Sequence, residues 1–329
     1  MKKIYIGIGV AIVLLAGTFG IFKWRSNSLD KTKSRAHNYD KYEMTCHMEM
    51  LENDELKSYL VNVSYLLKDK KEFYKVELYD KSLNQSQVIV KNEEGVFVLT
   101  PTLNQIFKFQ SDWPNNSPKP YIYKSLLSML DSGHVEKTKD GYIARGEVKY
   151  PNDNRVTSQE VVFTKSLVPQ RVVVYDKEET EIIKLDISEF NHSPSLDINH
   201  FNQQKVLEDT AKQERATAGG KTPLYPVAAL GSRLESETVT KINDTDNHVL
   251  KFSGTHNFTI VESMLHKSDV MKEDVMDGES IDFVDGIAFY KDNELTMMQS
   301  GVLCKVYSKD LNKKDMIQVV SSLQAQNSK

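Results

Sequence analysis

"SQVIVKNEEGVFVLTPTLNQIFKFQSDWPNNSPKPYIYKSLL", residues 86–127, is the stretch from which the rest of the chain is most easily read. It opens with three short apolar runs, Gln87–Val90, Gly95–Thr100 and Gln105–Gln110, separated by turn-forming residues. Close spacing of such runs predicts an antiparallel meander. After Asp112-Trp113-Pro114 the pattern changes to a helical one. Ser117 is placed to cap a helix, Pro118 suits its first position and Gly133 suits its end. Tyr123, Leu126, Leu127 and Leu130 form the apolar stripe of that helix. Phe97, Phe107, Phe109, Trp113, Tyr121 and Tyr123 cluster where strands hand over to the helix. Two readings fit them: ordinary core, or the wall and lid of an apolar cavity.

Upstream the period is again two. Tyr42, Met44, Cys46, Met48 and Met50 alternate with Glu43, Thr45, His47 and Glu49; Tyr59, Val61, Val63, Tyr65 and Leu67 repeat the pattern, and Phe73–Tyr79 follows. Downstream, Val135–Lys137 and Tyr142–Tyr150 are joined through Asp140-Gly141, a hairpin signal. Val156–Thr164, Val168–Tyr175 and Glu181–Phe190 bring the first domain to about ten strands. A sheet of that size must curl, close or be covered.

The expected organisation is therefore mainly β with some α: a membrane anchor and juxtamembrane segment at 1–36, a curved antiparallel domain at 37–200, a helix and linker at 201–222 ending in Gly219-Gly220, and a small α+β domain at 223–329. In the last, Val249–Phe252, Phe258–Glu262, Ser280–Val284, Ile287–Tyr290, Leu295–Gln299 and Val302–Tyr307 read as strands. Asn312 and Asp315 stand in a capping-box-like relation before a helix that buries Met316, Ile317, Val320 and Leu323.

The anchor is Ile4–Phe22, which carries no charge. As a helix it would span roughly 28 Å, matching a bilayer core of about 30 Å. Lys2 and Lys3 precede it, and Lys23, Trp24 and Arg25 follow. Leu15-Ala16-Gly17 is what a bacterial lipoprotein signal carries before its lipid-modified cysteine, but the next residue is Thr18, which has no thiol. An uncleaved signal anchor is expected. Flanking cations, counted literally, favour a cytoplasmic body; the short basic start and apolar run favour export, and the expectation is a single-pass protein with an extracytoplasmic body. Gly7/Ala11 and Ala16/Gly20 have the spacing of helix-dimerising small residues.

Composition sets limits on function. The net charge of −4 over 329 residues implies no nucleic-acid partner. Two cysteines, Cys46 and Cys304, suggest buried thiols rather than a disulfide scaffold. G-x-S-x-G, H-E-x-x-H, C-x-x-C and Walker-type motifs do not occur. Eight histidines are scattered, and Asp274, Asp277, Gly278 and Glu279 lack the ligand spacing of a calcium loop. No catalytic residue, metal or cofactor is expected, and the chain reads as a binding protein rather than an enzyme.

Residues 86–127, and within them "EGVFVLTPTLNQIFKFQSDWP", resemble the LolA-like carrier superfamily, specifically the sporulation-associated membrane lipoprotein branch of spore-forming Gram-positive bacteria. The resemblance extends more weakly from about Tyr42 to the C-terminus. It implies a strongly curved half-barrel with a helical lid over an apolar cavity, and a smaller C-terminal domain as in RseB-like members. It also implies an association with sporulation or germination, through a cell-wall (cortex) enzyme or another envelope protein, or through a lipid or acyl chain. Val61, Val63, Tyr65, Phe97, Leu99, Phe107, Phe109, Trp113, Leu126, Leu127 and Leu130 are the candidates for that concavity. Thr18 departs from the lipid-anchored pattern of the branch.

Overall fold

The computed structural model describes residues 29–52, 55–109, 111–114, 118–150, 152–213, 222–242, 245–264, 270–299 and 302–325. The expected anchor, Ser117 and Gly219-Gly220 lie outside them. Among the described residues no helix is long and apolar enough to cross a membrane.

Residues 29–37 form helix α1. Eleven strands follow: β1 Lys41–Glu52, β2 Glu55–Lys68, β3 Lys71–Asp80, β4 Gln85–Asn92, β5 Gly95–Thr100, β6 Gln105–Phe109, β7 His134–Lys137, β8 Gly141–Glu147, β9 Ser158–Thr164, β10 Pro169–Tyr175 and β11 Glu181–Asn191. They lie in one sheet, ordered β6-β5-β4-β3-β2-β1-β11-β10-β9-β8-β7. Asp69 and Lys70, both at positive φ, make the two-residue turn of the β2–β3 hairpin. Where β1 meets β11 the register skips Ser188, a bulge that bends the strand and increases its twist.

The first helical segment after β6 is α2, Tyr123–Ser132, and it begins later than the Ser117–Pro118 start expected from sequence. Pro120 explains the delay, because a residue before proline is pushed out of the α region. Gly133 ends α2 as expected, its N–H donating to Met129 O at 2.9 Å. A side chain there would collide with Arg145 O, 2.6 Å from the position of a Cβ. α2 covers one face of the sheet through Tyr123, Leu126, Leu127 and Leu130. α1 packs beside it. Ala36 is buried, Lys33 Nζ donates to Leu130 O at 2.5 Å, and Lys33 and His37 both reach Asp131.

The other face is covered by α3, Gln203–Gln213, entered through a 3-10 turn at Ile198–Phe201 that Asp197 caps. The helix expected at the start of the polar 201–222 segment is present and packs on the sheet: Phe201, Val206 and Leu207 are buried against Val88, Val90, Phe97, Leu99 and Ile106.

Beyond it stand β12 Leu224–Pro226, β13 Ser232–Ile242, β14 Thr245–Gly254, β15 Phe258–Met264, β16 Lys272–Val275, β17 Glu279–Asp282, β18 Ile287–Lys291, β19 Glu294–Gln299, β20 Val302–Tyr307, α4 Lys313–Ser321 and β21 Leu323–Ala325. Seven of these form a second sheet, β13-β14-β15-β20-β19-β18-β17, while β12 and β21 pair with each other. α4 is capped by Asn312, whose side chain accepts from Asp315 N at 3.0 Å, and buries Met316, Ile317, Val319 and Val320. Leu323, expected on that helix, is buried from β21 instead.

β12, β13, β16 and β21 were not expected as strands. β16 leaves its neighbours and pairs in parallel with β6, so the first sheet gains a twelfth strand at its edge. Asp277 and Glu279, from the calcium-like sequence, pair with Lys291 and Lys313, making an ordinary charged turn. Cys46 and Cys304 are free and buried.

Candidate functional site: an open cleft beside a filled concavity

Val61, Val63, Tyr65, Phe107 and Phe109, sent inward by strand alternation, meet Trp113 from the turn after β6 and Leu126, Leu127 and Leu130 from α2 in one buried cluster between the first sheet and α2. Phe97 and Leu99 do not join it; they point to the opposite face, against α3. β5 is buried on both sides, so its run Val96-Phe97-Val98-Leu99 gives no parity signal, and Val96 and Val98 are the inward residues.

That concave side is filled by its own aromatic side chains. Tyr42 and Tyr65 stack at 5.1 Å between ring centroids, Tyr65 and Tyr74 lie 4.8 Å apart, and Tyr74 meets Trp113 edge-on at 5.9 Å. Trp113, Leu126 and Leu127 are 0 % exposed. At the end near β6 the second sheet closes it. Val284, Ile287, Phe289 and Met298 belong to the same cluster, and Phe289 meets Phe109 edge-on at 5.1 Å. The gap left there is about 10 Å³, barely the space of one water.

The turn between β17 and β18, Phe283-Val284-Asp285-Gly286, is the joint of the two units. Three successive carbonyls accept from the first unit: Asp282 O from Asn152 Nδ2 at 3.2 Å, Phe283 O from Lys119 Nζ, and Val284 O from Tyr121 hydroxyl at 2.8 Å. Asp285 carboxylate accepts from Tyr59 hydroxyl at 3.0 Å and pairs with Lys57 at 3.5 Å; Lys57 also pairs with Glu52. Burial pulls the Lys57 ammonium pKa down, but Asp285 and Glu52 outweigh it and raise it. Burial, with Asp285 next, raises the Glu52 carboxyl. Lys119 is only 3 % exposed, and burial lowers its pKa despite Asp282 and Asp285.

On the far side of the same turn lies a cleft of about 710 Å³, within the range of ligand sites. Met50, Phe283, Val284 and Ile317 give it an apolar floor. Arg155 stands on one rim, forked onto Asp153 at 3.0 and 2.8 Å and donating to Leu51 O at 3.0 Å. Lys314, Gln318 and Ser321 of α4 form the other rim. Its carboxylates already face cations, and among the described residues no group of three or more His, Cys, Asp or Glu is placed to hold a metal ion.

None of these cleft residues was a candidate from sequence. Met50–Glu52, Asn152–Arg155, Ala228, Phe283–Asp285 and the α4 region come from five distant segments. The one available signal was Asp285-Gly286, a tight-turn pair between two expected strands.

No family model matches the chain. Along its length it is similar to Sporulation protein YdcC of Bacillus subtilis (strain 168), 29% identical over 331 aligned positions, covering 98% of this chain and 96% of that protein. The resemblance read from residues 86–127 is thus to a sporulation protein and spans the whole chain. Among solved structures, MucB in complex with MucA(peri) aligns at 10% identity over 92% of this chain and 99% of its own, with a TM-score of 0.30. A putative outer membrane lipoprotein-sorting protein domain from Vibrio parahaemolyticus aligns at 14% identity over 55% of this chain and 97% of its own, with a TM-score of 0.31.

Proposed function

We propose that this chain is a membrane-anchored, extracytoplasmic, non-enzymatic scaffold of sporulation or spore-envelope assembly, and that it holds a protein partner in the cleft between its two units. The observation that carries the reading is where the open space lies: the concavity is packed with side chains, and the cleft beside it is not. The similarity to a sporulation protein supplies the process.

The apolar run Ile4–Phe22 is the anchor in this reading. Residues 23–28 then reach at most about 20 Å before α1, so the body stays close to the bilayer. An envelope protein such as a cell-wall (cortex) enzyme is the partner class. An acyl chain in the concavity would have to displace Tyr65, Trp113 and Leu126, which are at most 1 % exposed.

Photo-crosslinking residues placed at Asn154 and Gln318, in sporulating cells, should trap one envelope protein. If those positions trap nothing while Val61 or Trp113 positions trap lipid, the site moves to the concavity and the reading fails. A C-terminal alkaline phosphatase fusion should be active; an inactive fusion of normal abundance would place the body in the cytoplasm.

A further inference from the structure

The second sheet ends in β13, an eleven-residue edge strand paired only on its β14 side among the described residues. Long free edges of this kind are templates for another strand unless charge or distortion guards them. β13 is bulged near Glu235, and beyond the bulge it runs Glu237-Thr238-Val239-Thr240-Lys241, all exposed, with Val239 56 % exposed.

That five-residue run is complementary to itself. In an antiparallel pair of identical strands joined by a two-fold axis, opposed residues share a face, so the axis must pass through a residue rather than between two. With the axis through Val239, each Val239 meets the other, each Glu237 meets Lys241 of the second copy, and each Thr238 meets Thr240. Glu237, Val239 and Lys241 lie on one face, the face that carries Leu250; Thr238 and Thr240 lie on the other. Opposite charges, threonine pairs and β-branched contacts are the cross-strand pairs that stabilise a sheet. Moving the axis to Glu237 opposes Glu237 to itself and Arg233 to Lys241; moving it to Thr238 sets Glu237 against Val239. Charge therefore selects the Val239 register.

We infer that β13 is a homodimer interface, through which two copies of this chain join their seven-stranded sheets edge to edge about Val239. The inference stands apart from the cleft reading, since β13 contributes nothing to the cleft lining. Five residues make a weak contact alone. Here the inference rests on the membrane anchor proposed above: two chains held in one membrane meet at a high effective concentration, which makes such a contact sufficient. The small-residue spacing of Gly7/Ala11 and Ala16/Gly20 in the apolar run points the same way.

The test is thiol crosslinking in intact cells expressing the full chain as Val239→Cys, with a short bismaleimide. Cys46 and Cys304 are 0 % exposed and stay silent. A covalent species of twice the chain mass is expected, and Arg233→Cys, off the axis, should give little. Adding Glu237→Lys or Lys241→Glu should cut the yield about tenfold by setting like charges opposite twice. Combining both changes should restore it, because the swapped pair is again complementary. Limited proteolysis of each variant checks that the second sheet still folds, and fluorescence photobleaching counts copies without cysteine chemistry. A dimer whose yield ignores the charges, an adduct of any other mass, or single copies throughout would each overturn the inference.

Discussion

The concavity and the cleft lie on two sides of one turn, Phe283–Gly286, and they were built in opposite ways. The concavity comes from consecutive strands whose alternating side chains meet under α2, and it is aromatic and full. The cleft comes from five segments far apart in sequence, and it is ionic at its rims and open. A high density of Tyr, Trp and Phe therefore marks the volume the protein uses for itself. The room for something else lies where two units fail to meet.

The strongest way to break that contrast is Trp113→Ala. A fully buried aromatic lost from a packed core should cost about 3–5 kcal/mol, read as a fall in the denaturant midpoint. A loss under about 1 kcal/mol would show that the concavity has slack. Next is Lys57→Met, which leaves Glu52 and Asp285 facing each other without their shared cation and should cost roughly 2–4 kcal/mol. Adding Asp285→Asn should recover part of it. Proteolysis at the joint, with both sheets intact, is the readout that separates a loosened joint from general unfolding.

The Glu262 site of the second sheet and the His200 site on the α3 side of the first should also answer pH with opposite sign. Glu262 in the second sheet is fully buried, accepts from Leu224 N at 3.1 and 2.9 Å, and is pushed up by burial to about 7. A raised carboxyl favours the fold below its unfolded pKa, and that contribution is lost as pH rises through 7. The second unit should lose of the order of 2 kcal/mol between pH 5 and 8, and Glu262→Gln should flatten the profile. His200, beside Ser64 of the first sheet, is lowered by burial, then by Lys75, to about 4. Its contribution is present above its unfolded pKa and fades as pH falls through 4, so acid should loosen the α3 side of the first sheet. Hydrogen exchange resolved by segment would detect both; parallel responses of the segments around Glu262 and His200 would refute the assignment. The smallest effect on stability is Gln318→Ala, within about 0.5 kcal/mol because the side chain is exposed. Its effect on partner capture should be the larger one.

Much of the first sheet was legible in sequence because β1, β9 and the first half of β2 each bury one face and so keep a period of two. The signal fails wherever that condition fails. β5 is buried on both faces, and parity vanished at Phe97 and Leu99; β13 is exposed on both faces, and no alternation marked it as a strand. β16 is four residues with three charges, and only its pairing with β6 makes it a strand. The start of α2 was misplaced because a good cap and N1 proline were followed by a second proline. The cleft was invisible for a different reason: no local pattern records that Met50, Arg155, Val284 and Ile317 will share one wall.

The parallel pairing of β16 with β6 also sets a timetable. β6 is finished at Phe109, but the strand that seals its outer edge begins at Lys272. A chain threaded across a membrane from its N-terminal end would present that edge, unpaired, for the whole interval in which the rest of the first sheet assembles. On the export reading proposed above, folding of the first sheet should accordingly depend on a holding chaperone at the exit side. The dependence should be greatest for chains cut short before Val275.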